Sequence, residues 1–177
     1  MSTARNYEPH YTVADYEQWQ GDWELWNGTA VAMTPSPFGR HQLVATNICA
    51  ELRSLLKQQK SKCRVLHEVD WQIADDMIVR PDLVVICHGI PERHLDYAPA
   101  LIVEVVSEST EKKDRTAKYD LYQQNGVETY VIVDPDSQHI DVFELLDGSY
   151  RQQDDSEDFI ATLHGQQLVV SKSEIFD

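Results

Sequence analysis

The sequence is poor in positive charge, in glycine and in proline. Its 15 lysines and arginines stand against 30 aspartates and glutamates, which gives a formal net charge of −15 at pH 7. Bulk charge of this sign repels a phosphate backbone, so affinity for nucleic acid would require a local basic patch. Seven glycines and seven prolines are too few for a collagen-like chain or a flexible linker.

Cysteine and long apolar runs are also scarce. Cys49, Cys63 and Cys87 are an odd number without the spacing of a zinc site, so we expect neither a disulfide framework nor structural zinc. No segment is long and apolar enough to span a membrane, and the first residues lack the apolar core of a signal peptide. The expected location is the reducing cytoplasm, without membrane association.

The chain has enough apolar material for one folded domain. Its 177 residues are 42% hydrophobic, and we predict a single domain over 1–177. Much of its positive charge lies in two segments with helical periodicity, 53–64 with five basic residues and 112–118 with four. These segments either form a local patch that holds phosphates or are the solvated faces of two helices.

Hydrophobic periodicity predicts a mixture of helices and strands. Helices are expected near 11–20, 40–59 and 111–125, and strands at 65–73, 78–87, 100–106, 128–133 and 139–145. Asn27-Gly28 predicts a tight turn and therefore a β-hairpin within 24–33. This order predicts an α/β fold, in which a central mixed sheet is flanked by helices and preceded by the N-terminal hairpin.

Two of the apolar strands each contain one carboxylate. Asp82 stands near the start of the run RPDLVVI, and Glu104 stands within LIVEVV. A buried ionised carboxylate needs a cation, hydrogen bonds or a metal. If the two strands are neighbours, the two acids can converge and bind Mg²⁺ or Mn²⁺ together with water. The alternative is that Asp82 caps its strand and Glu104 pairs with a nearby arginine such as Arg80.

Four blocks of sequence resemble a known family when they are taken in order. The strings RPDLVVI, ALIVEVVSEST, DRTAKYDLY and GVETYVIVDP are similar to the Uma-type restriction endonucleases, within the PD-(D/E)XK nuclease superfamily. The resemblance covers about residues 12–145. It implies a restriction-endonuclease-like core and a metal-dependent endonuclease that cleaves nucleic acid, with DNA as the favoured substrate. Asp82 and Glu104 would bind the metal.

The sequence departs from the superfamily pattern at one position. A lysine is expected two residues after the second acid, and this chain has Val106 there. The missing cation must then come from elsewhere, with Lys118 as the first candidate and Lys113 as the second. Asp114, Lys118 and Tyr122 are spaced four residues apart, so they lie along one stripe of the predicted second helix.

The resulting catalytic set is Asp82, Glu104 and Lys118. The lysine would orient or help to deprotonate a water molecule and would offset negative charge in the transition state. The alternative is that Lys118 pairs with Asp114 or Asp120 on a solvated helix face.

Three further residues are weaker candidates. Glu24 and Glu68 would each supply a third ligand or simply face water, and Glu68 is the better placed because it lies on the polar side of its predicted strand. His41 would either sit at the mouth of the site or begin a helix, and we favour the second.

Two other functions remain open. A non-catalytic protein that binds nucleic acid or a partner on a degenerate nuclease fold is favoured by Val106 and by the charge of −15. A structural dimer would use the paired carboxylates only in a salt-bridge network. A homodimer is expected in any case, because the tryptophan-rich N-terminal segment offers more aromatic surface than one small domain buries.

Overall fold

The computed structural model describes residues 9–33, 39–107, 110–154, 158–163 and 165–177. The helices are α1 (Val13–Tyr16), α2 (Gly39–Gln58), α3 (Glu111–Lys113), α4 (Tyr119–Gln124) and α5 (Lys172–Phe176), with a π-helical turn (Asp114–Lys118) that joins α3 to α4. The strands are β1 (Trp23–Trp26), β2 (Thr29–Ala32), β3 (Arg64–His67), β4 (Trp71–Ala74), β5 (Met77–Val79), β6 (Leu83–Ile86), β7 (Leu101–Val105), β8 (Thr129–Asp134), β9 (His139–Leu146), β10 (Ser149–Gln152), β11 (Asp158–Leu163) and β12 (Gln166–Ser171). None of the helices in these ranges combines the length and the hydrophobicity that a membrane span requires.

A six-stranded mixed sheet forms the centre of the fold. Its strand order is β10-β9-β8-β7-β6-β3, in which β7 and β8 run parallel and the other neighbouring pairs are antiparallel. Helix α2 packs on one face of this sheet, and the helical segment 111–124 packs on the other. The predicted α/β architecture, with a central mixed sheet between helices, is therefore confirmed. Strand β6, which begins directly after Asp82, and strand β7, which contains Glu104, are neighbours.

The N-terminal hairpin belongs to a second sheet. Strands β1 and β2 pair antiparallel, and the four strands of this sheet have the order β2-β1-β5-β4. Asn27 and Gly28 both have positive φ angles, 46° and 76°. Positive values at both central residues are what a two-residue hairpin turn requires, so the predicted hairpin is confirmed.

The predicted strand at 65–73 is wrong, because the chain turns in its middle. Strand β3 ends at His67, and β4 begins at Trp71 in the other sheet. Glu68 lies at the turn with a φ angle of 46°, and its amide donates to the carbonyl oxygen of Asp82. Alternating hydrophobicity continues across this turn, so the pattern alone resembles one strand.

The predicted strand at 78–87 is also wrong, because it joins the two sheets. The first residues of this predicted strand belong to β5 in the four-stranded sheet, and its later residues form β6 in the six-stranded sheet. Between them, the Arg80 guanidinium bonds to Asp70 and Asp22 at 2.6 and 2.7 Å, and Pro81 has no amide to donate to a ladder. Asp82 therefore lies where the chain crosses from one sheet to the other.

The expectation of no disulfide is wrong as well. Cys63 and Cys87 form a disulfide with their Cα atoms 4.0 Å apart. The antiparallel register pairs Arg64 with Ile86, and one further step places the two cysteines opposite each other. Cys49 is free and buried. The bridge thus fastens the edge strand β3 to β6.

We predict that this disulfide contributes about 3 kcal/mol to the free energy of unfolding, because it closes a loop with a sequence separation of 24 residues. The double variant Cys63→Ser/Cys87→Ser should be less stable than the wild type by this amount in urea unfolding without reductant. Dithiothreitol should bring the wild type close to the double variant.

Cys49→Ala is the matched control, because it removes a thiol outside the bridge. Its stability relative to the wild type should be the same with and without reductant. A wild type that is equally stable in both conditions would show that the bridge does not stabilise the fold.

Candidate active site

Glu104 lies at the centre of a buried polar cluster. It projects from β7 on the sheet face that the segment 111–124 covers, and only 3% of its surface is exposed. Its Oε1 atom accepts hydrogen bonds from Lys118 Nζ at 2.8 Å and from the Tyr122 hydroxyl at 2.7 Å. The alternative pairing with Arg80 is wrong, because that guanidinium bonds to aspartates elsewhere.

Lys118 is buried rather than solvated. Its side chain is 8% exposed, and Nζ lies 3.4 Å from Asp114 Oδ1 and 3.8 Å from Glu24 Oε1 as well as beside Glu104. The alternative of a solvated pairing is therefore wrong, although the partner Asp114 is among those expected. Both residues lie in the π-helical turn, a local widening of a helix that is common at functional sites.

Asp82 lies beside Glu104 across the two neighbouring strands. The register ends with Leu83 paired to Val103, and Asp82 and Glu104 are the residues next to this last pair. The Oδ2 atom of Asp82 accepts a hydrogen bond from the Val105 amide at 2.7 Å. The two candidate acids therefore lie at the same end of the β6–β7 pair, and, besides burial, the charge of Asp82 contributes to raising the pKa of Glu104.

Glu24 joins the cluster from the N-terminal hairpin. This residue on β1 is 1% exposed and forms an ion pair with Lys113. Its Oε1 accepts from the Arg80 amide at 3.0 Å, and its Oε2 accepts from Trp26 Nε1 at 3.0 Å. Glu68, which the sequence favoured over Glu24, is exposed. The available signal was an acid between the apolar residues of the strand WELW.

Lys113 has a different environment from Lys118. Besides the ion pair with Glu24, its Nζ lies 4.8 Å from the ring centroid of Trp26, which is a cation–π distance. Its side chain is half-buried at the edge of the cluster. Of the two lysines, Lys118 is the one in contact with Glu104.

Burial and the charges of neighbouring groups shift the pKa values of Glu104 and Lys118. Burial raises the pKa of Glu104 to about 8, because Lys118 offsets the penalty only in part and the charges of Asp114 and Asp82 add to it. Burial would lower the pKa of Lys118, but the charges of Glu104, Glu24 and Asp114 raise it overall. These shifts favour the ammonium form of Lys118 and, in the metal-free protein, the protonated form of Glu104.

The pKa values of Asp114 and Glu24 are shifted in opposite directions. Burial raises the pKa of Asp114, and Lys118 compensates for this only partly. Burial also acts to raise the pKa of Glu24, but the charges of Lys118 and Lys113 and the Arg80 amide outweigh it and lower the pKa. Glu24 is thus the carboxylate that the lysines hold in its ionised form.

The acids leave oxygen atoms available to a divalent cation. Glu104 Oε1 and Asp82 Oδ2 take the hydrogen bonds, whereas Glu104 Oε2 and Asp82 Oδ1 receive none from the described residues. Asp114 Oδ1 is buried and accepts no hydrogen bond there, although Lys118 lies nearby. Hard carboxylate oxygens suit Mg²⁺ or Mn²⁺, so the residues fit such an ion.

The number of protein ligands is small. Within the described ranges, no three His, Cys, Asp and Glu side chains are grouped closely enough to hold a metal ion. Mg²⁺ is commonly bound through one or two carboxylates, with water and substrate phosphate in the other positions. Two acids, Asp82 and Glu104, are therefore sufficient for this class of site.

The two basic segments do not form one patch around this cluster. Segment 53–64 begins twelve residues beyond His41 on α2, which corresponds to about 18 Å along the helix axis. In segment 112–118, Arg115 bonds to Asp141 and Glu111, so its charge is already compensated. The local basic patch expected for nucleic acid remains a prediction.

Comparison with known proteins places this geometry in a family. The model of the Uma2 family, described as "Putative restriction endonuclease", matches residues 13–171. A solved structure, a "putative nuclease belonging to DUF820" from Anabaena variabilis ATCC 29413, superposes with a TM-score of 0.75 over 93% of this chain and 97% of that chain, at 18% sequence identity. This likeness shows a shared fold. No curated protein matches the chain.

Glu104 should make the metal-free protein less stable as the pH rises from about 5 to 8. The pKa of Glu104 is higher in the folded protein than in the unfolded chain. Between these two pKa values the folded protein therefore keeps a proton on Glu104 that the unfolded chain has released. This contribution is complete below the unfolded pKa and is lost as the pH approaches 8. In urea unfolding with EDTA, the wild type should lose about 2 kcal/mol more than Glu104→Gln between pH 5.5 and 7.5.

The variant Glu104→Gln keeps an oxygen that accepts from Lys118 and Tyr122, so it removes the titration rather than these contacts. Glu174→Gln, at an exposed position on α5, is the control and should behave as the wild type does. Equal losses in wild type and Glu104→Gln would show that Glu104 is ionised throughout this range.

Proposed function

This chain belongs to the Uma2 family, and we propose on that premise that it is a metal-dependent endonuclease that hydrolyses phosphodiester bonds, with DNA as the favoured substrate. One observation carries the proposal. Asp82 directly precedes β6 and Glu104 lies on the neighbouring strand β7, and each carboxylate has one oxygen held by a protein donor and the other without one among the described residues.

The ion would be held by Asp82 and Glu104. Once bound there, Mg²⁺ or Mn²⁺ supplies Lewis acidity to a phosphoryl oxygen and lowers the pKa of a water molecule. The protein contributes the placement of the two carboxylates. The Val105 amide fixes one of them, and Lys118 with Tyr122 fixes the other.

Lys118 would supply the positive charge that the strand lacks at Val106. Its raised pKa keeps it protonated, which favours a role in offsetting transition-state charge over one in accepting a proton from water. Its Nζ is held 2.8 Å from Glu104, so its charge stays beside the proposed ion site. Lys113 is less suitable, because Glu24 and Trp26 already engage its ammonium group.

Glu24 would act through the lysines rather than as a third ligand. Both of its carboxylate oxygens already accept hydrogen bonds, Oε1 from the Arg80 amide and Oε2 from Trp26 and Lys113. Its charge lies 3.8 Å from Lys118 Nζ, which favours the ammonium form of that lysine. We assign to Glu24 the role of holding the two lysines over the cluster.

A homodimer remains part of the proposal without direct support. The aromatic residues that suggested it pack against one another within the chain: the Trp19 ring contacts Tyr11, Tyr16 and Trp23 at centroid distances of 5.2 to 5.9 Å. Less of that surface is left for a partner than the sequence indicated.

The test is cleavage of plasmid DNA, single-stranded DNA and RNA with Mg²⁺ or Mn²⁺. The wild type should cleave DNA, and cleavage should stop when EDTA removes the metal ion. Asp82→Asn, Glu104→Gln and Lys118→Met should each lower the rate by about 100-fold or more. Arg151→Met and Asp136→Asn are the matched controls at exposed positions, and both should retain the wild-type rate.

Two outcomes would replace the proposal with the alternatives. Binding of DNA without cleavage, with the same affinity in wild type and Glu104→Gln, would indicate a non-catalytic nucleic-acid-binding protein. Absence of Mn²⁺ binding, together with a loss of about 2–4 kcal/mol of stability in Asp82→Asn, would indicate a purely structural network.

A further inference from the structure

A histidine approaches the proposed ion site from the other side of the sheet. His41 lies in the first turn of α2, which packs on the face opposite the segment that carries Lys118. Its side chain is 12% exposed, and its Nε2 atom lies 3.3 Å from Asp82 Oδ2. The expectation that His41 merely begins a helix is therefore incomplete, because it also contacts a candidate metal ligand.

The contact falls on one particular oxygen of Asp82. Oδ2 receives both the Val105 amide, at 2.7 Å, and His41, whereas Oδ1 receives no donor from the described residues. A carboxylate with two contacts on one oxygen is restricted in rotation about its last side-chain bond. The other oxygen then keeps a fixed direction.

We propose that His41 is a positioning residue that orients Asp82 so that Oδ1 can bind the divalent ion. This inference rests on the proposed function, because it assigns a role toward that ion. Partners that hydrogen-bond to metal-binding carboxylates typically change metal affinity 10- to 100-fold when they are removed, because they fix the ligand before the ion arrives. His41 has the geometry of such a partner for Asp82.

The direction of the hydrogen bond follows from the chemistry of the two groups. A carboxylate that binds a metal is ionised and can only accept, so at this contact of 3.3 Å the Nε2 atom of His41 would carry the proton and donate to Asp82. Nε2 carries a proton in the imidazolium ion and in one neutral tautomer, so the orienting role holds in either charge state. The role therefore requires no change of protonation during the reaction.

The other ring nitrogen argues against direct participation in chemistry. His41 Nδ1 is fully buried and has no hydrogen-bond partner among the described residues. A general base must present an accessible nitrogen to substrate or water. With Nε2 committed to Asp82 and Nδ1 enclosed, His41 has neither nitrogen free for proton transfer, and it acts through Asp82.

The test is Mn²⁺ affinity, measured by the electron paramagnetic resonance signal of free Mn²⁺ without substrate. His41→Leu removes the donor at similar volume and should weaken Mn²⁺ binding about tenfold or more. His41→Gln retains an N–H donor near the position of Nε2 and should restore affinity to within about threefold of the wild type. Unfolding in EDTA, measured for each variant, should not follow this order.

His94→Leu is the matched control. His94 is another partly buried histidine with carboxylate neighbours, Glu17 and Asp70, but it does not contact Asp82. Its replacement should leave Mn²⁺ affinity unchanged. If His41→Leu does not fold, His41→Met, which also lacks a donor, takes its place in the comparison.

The outcomes separate this inference from the proposed function. A wild type that does not bind Mn²⁺ would overturn both. Normal binding by the wild type and equal binding by His41→Leu would overturn the role of His41 alone. Binding by His41→Gln as weak as that of His41→Leu would also overturn it, because a structural defect rather than a lost donor would then be responsible.

Discussion

The buried contact between Lys118 and Glu104 is the interaction on which the site depends. A carboxylate that is 3% exposed within a hydrophobic sheet is unfavourable unless a cation compensates its charge. Lys118 provides that compensation at 2.8 Å and extends it to Asp114 and Glu24. The two ammonium groups of Lys118 and Lys113 do not balance the four acids Glu24, Asp82, Glu104 and Asp114 when all are ionised, and the remaining negative potential is what would attract a divalent cation.

The position of this cation explains how the site can contain Val106 where a lysine is expected. Val106 is 4% exposed and packs in the apolar cluster beneath the segment 111–124. The segment 111–124 covers the face of β7 from which Glu104 projects. Lys118, one turn after Asp114, therefore reaches Glu104 from this segment. The charge enters the same region from a helix instead of a strand, and the strand position becomes part of the core.

The sequence predicted the parts of the site that depend on local spacing. Glu104 stood out as an acid in an apolar strand, and the spacing of Asp114, Lys118 and Tyr122 placed all three on one side of the helix, as observed. The split strands were missed because apolar periodicity does not record a change of sheet. Glu24 was underrated because its contacts depend on the docking of a hairpin far away in sequence.

The disulfide was missed, and His41 was underrated, for the same kind of reason. The pairing of Cys63 with Cys87 depends on the register of β3 and β6, and no spacing rule reveals register. His41 reaches Asp82 only because α2 begins near the start of β6. Both are properties of tertiary packing, which composition and periodicity do not contain.

The crossing of the chain between its two sheets determines the dimensions of the acidic cluster. Glu24 belongs to the sheet of the hairpin and Glu104 to the central sheet, and the link 80–82 connects strands of the two. The separation between the Glu24 and Glu104 carboxylates therefore depends on how the two sheets pack together and not on the geometry of one strand or helix. A ligand that moved the hairpin away from the central sheet would weaken the contacts of Glu24 with both Lys113 and Lys118 at once.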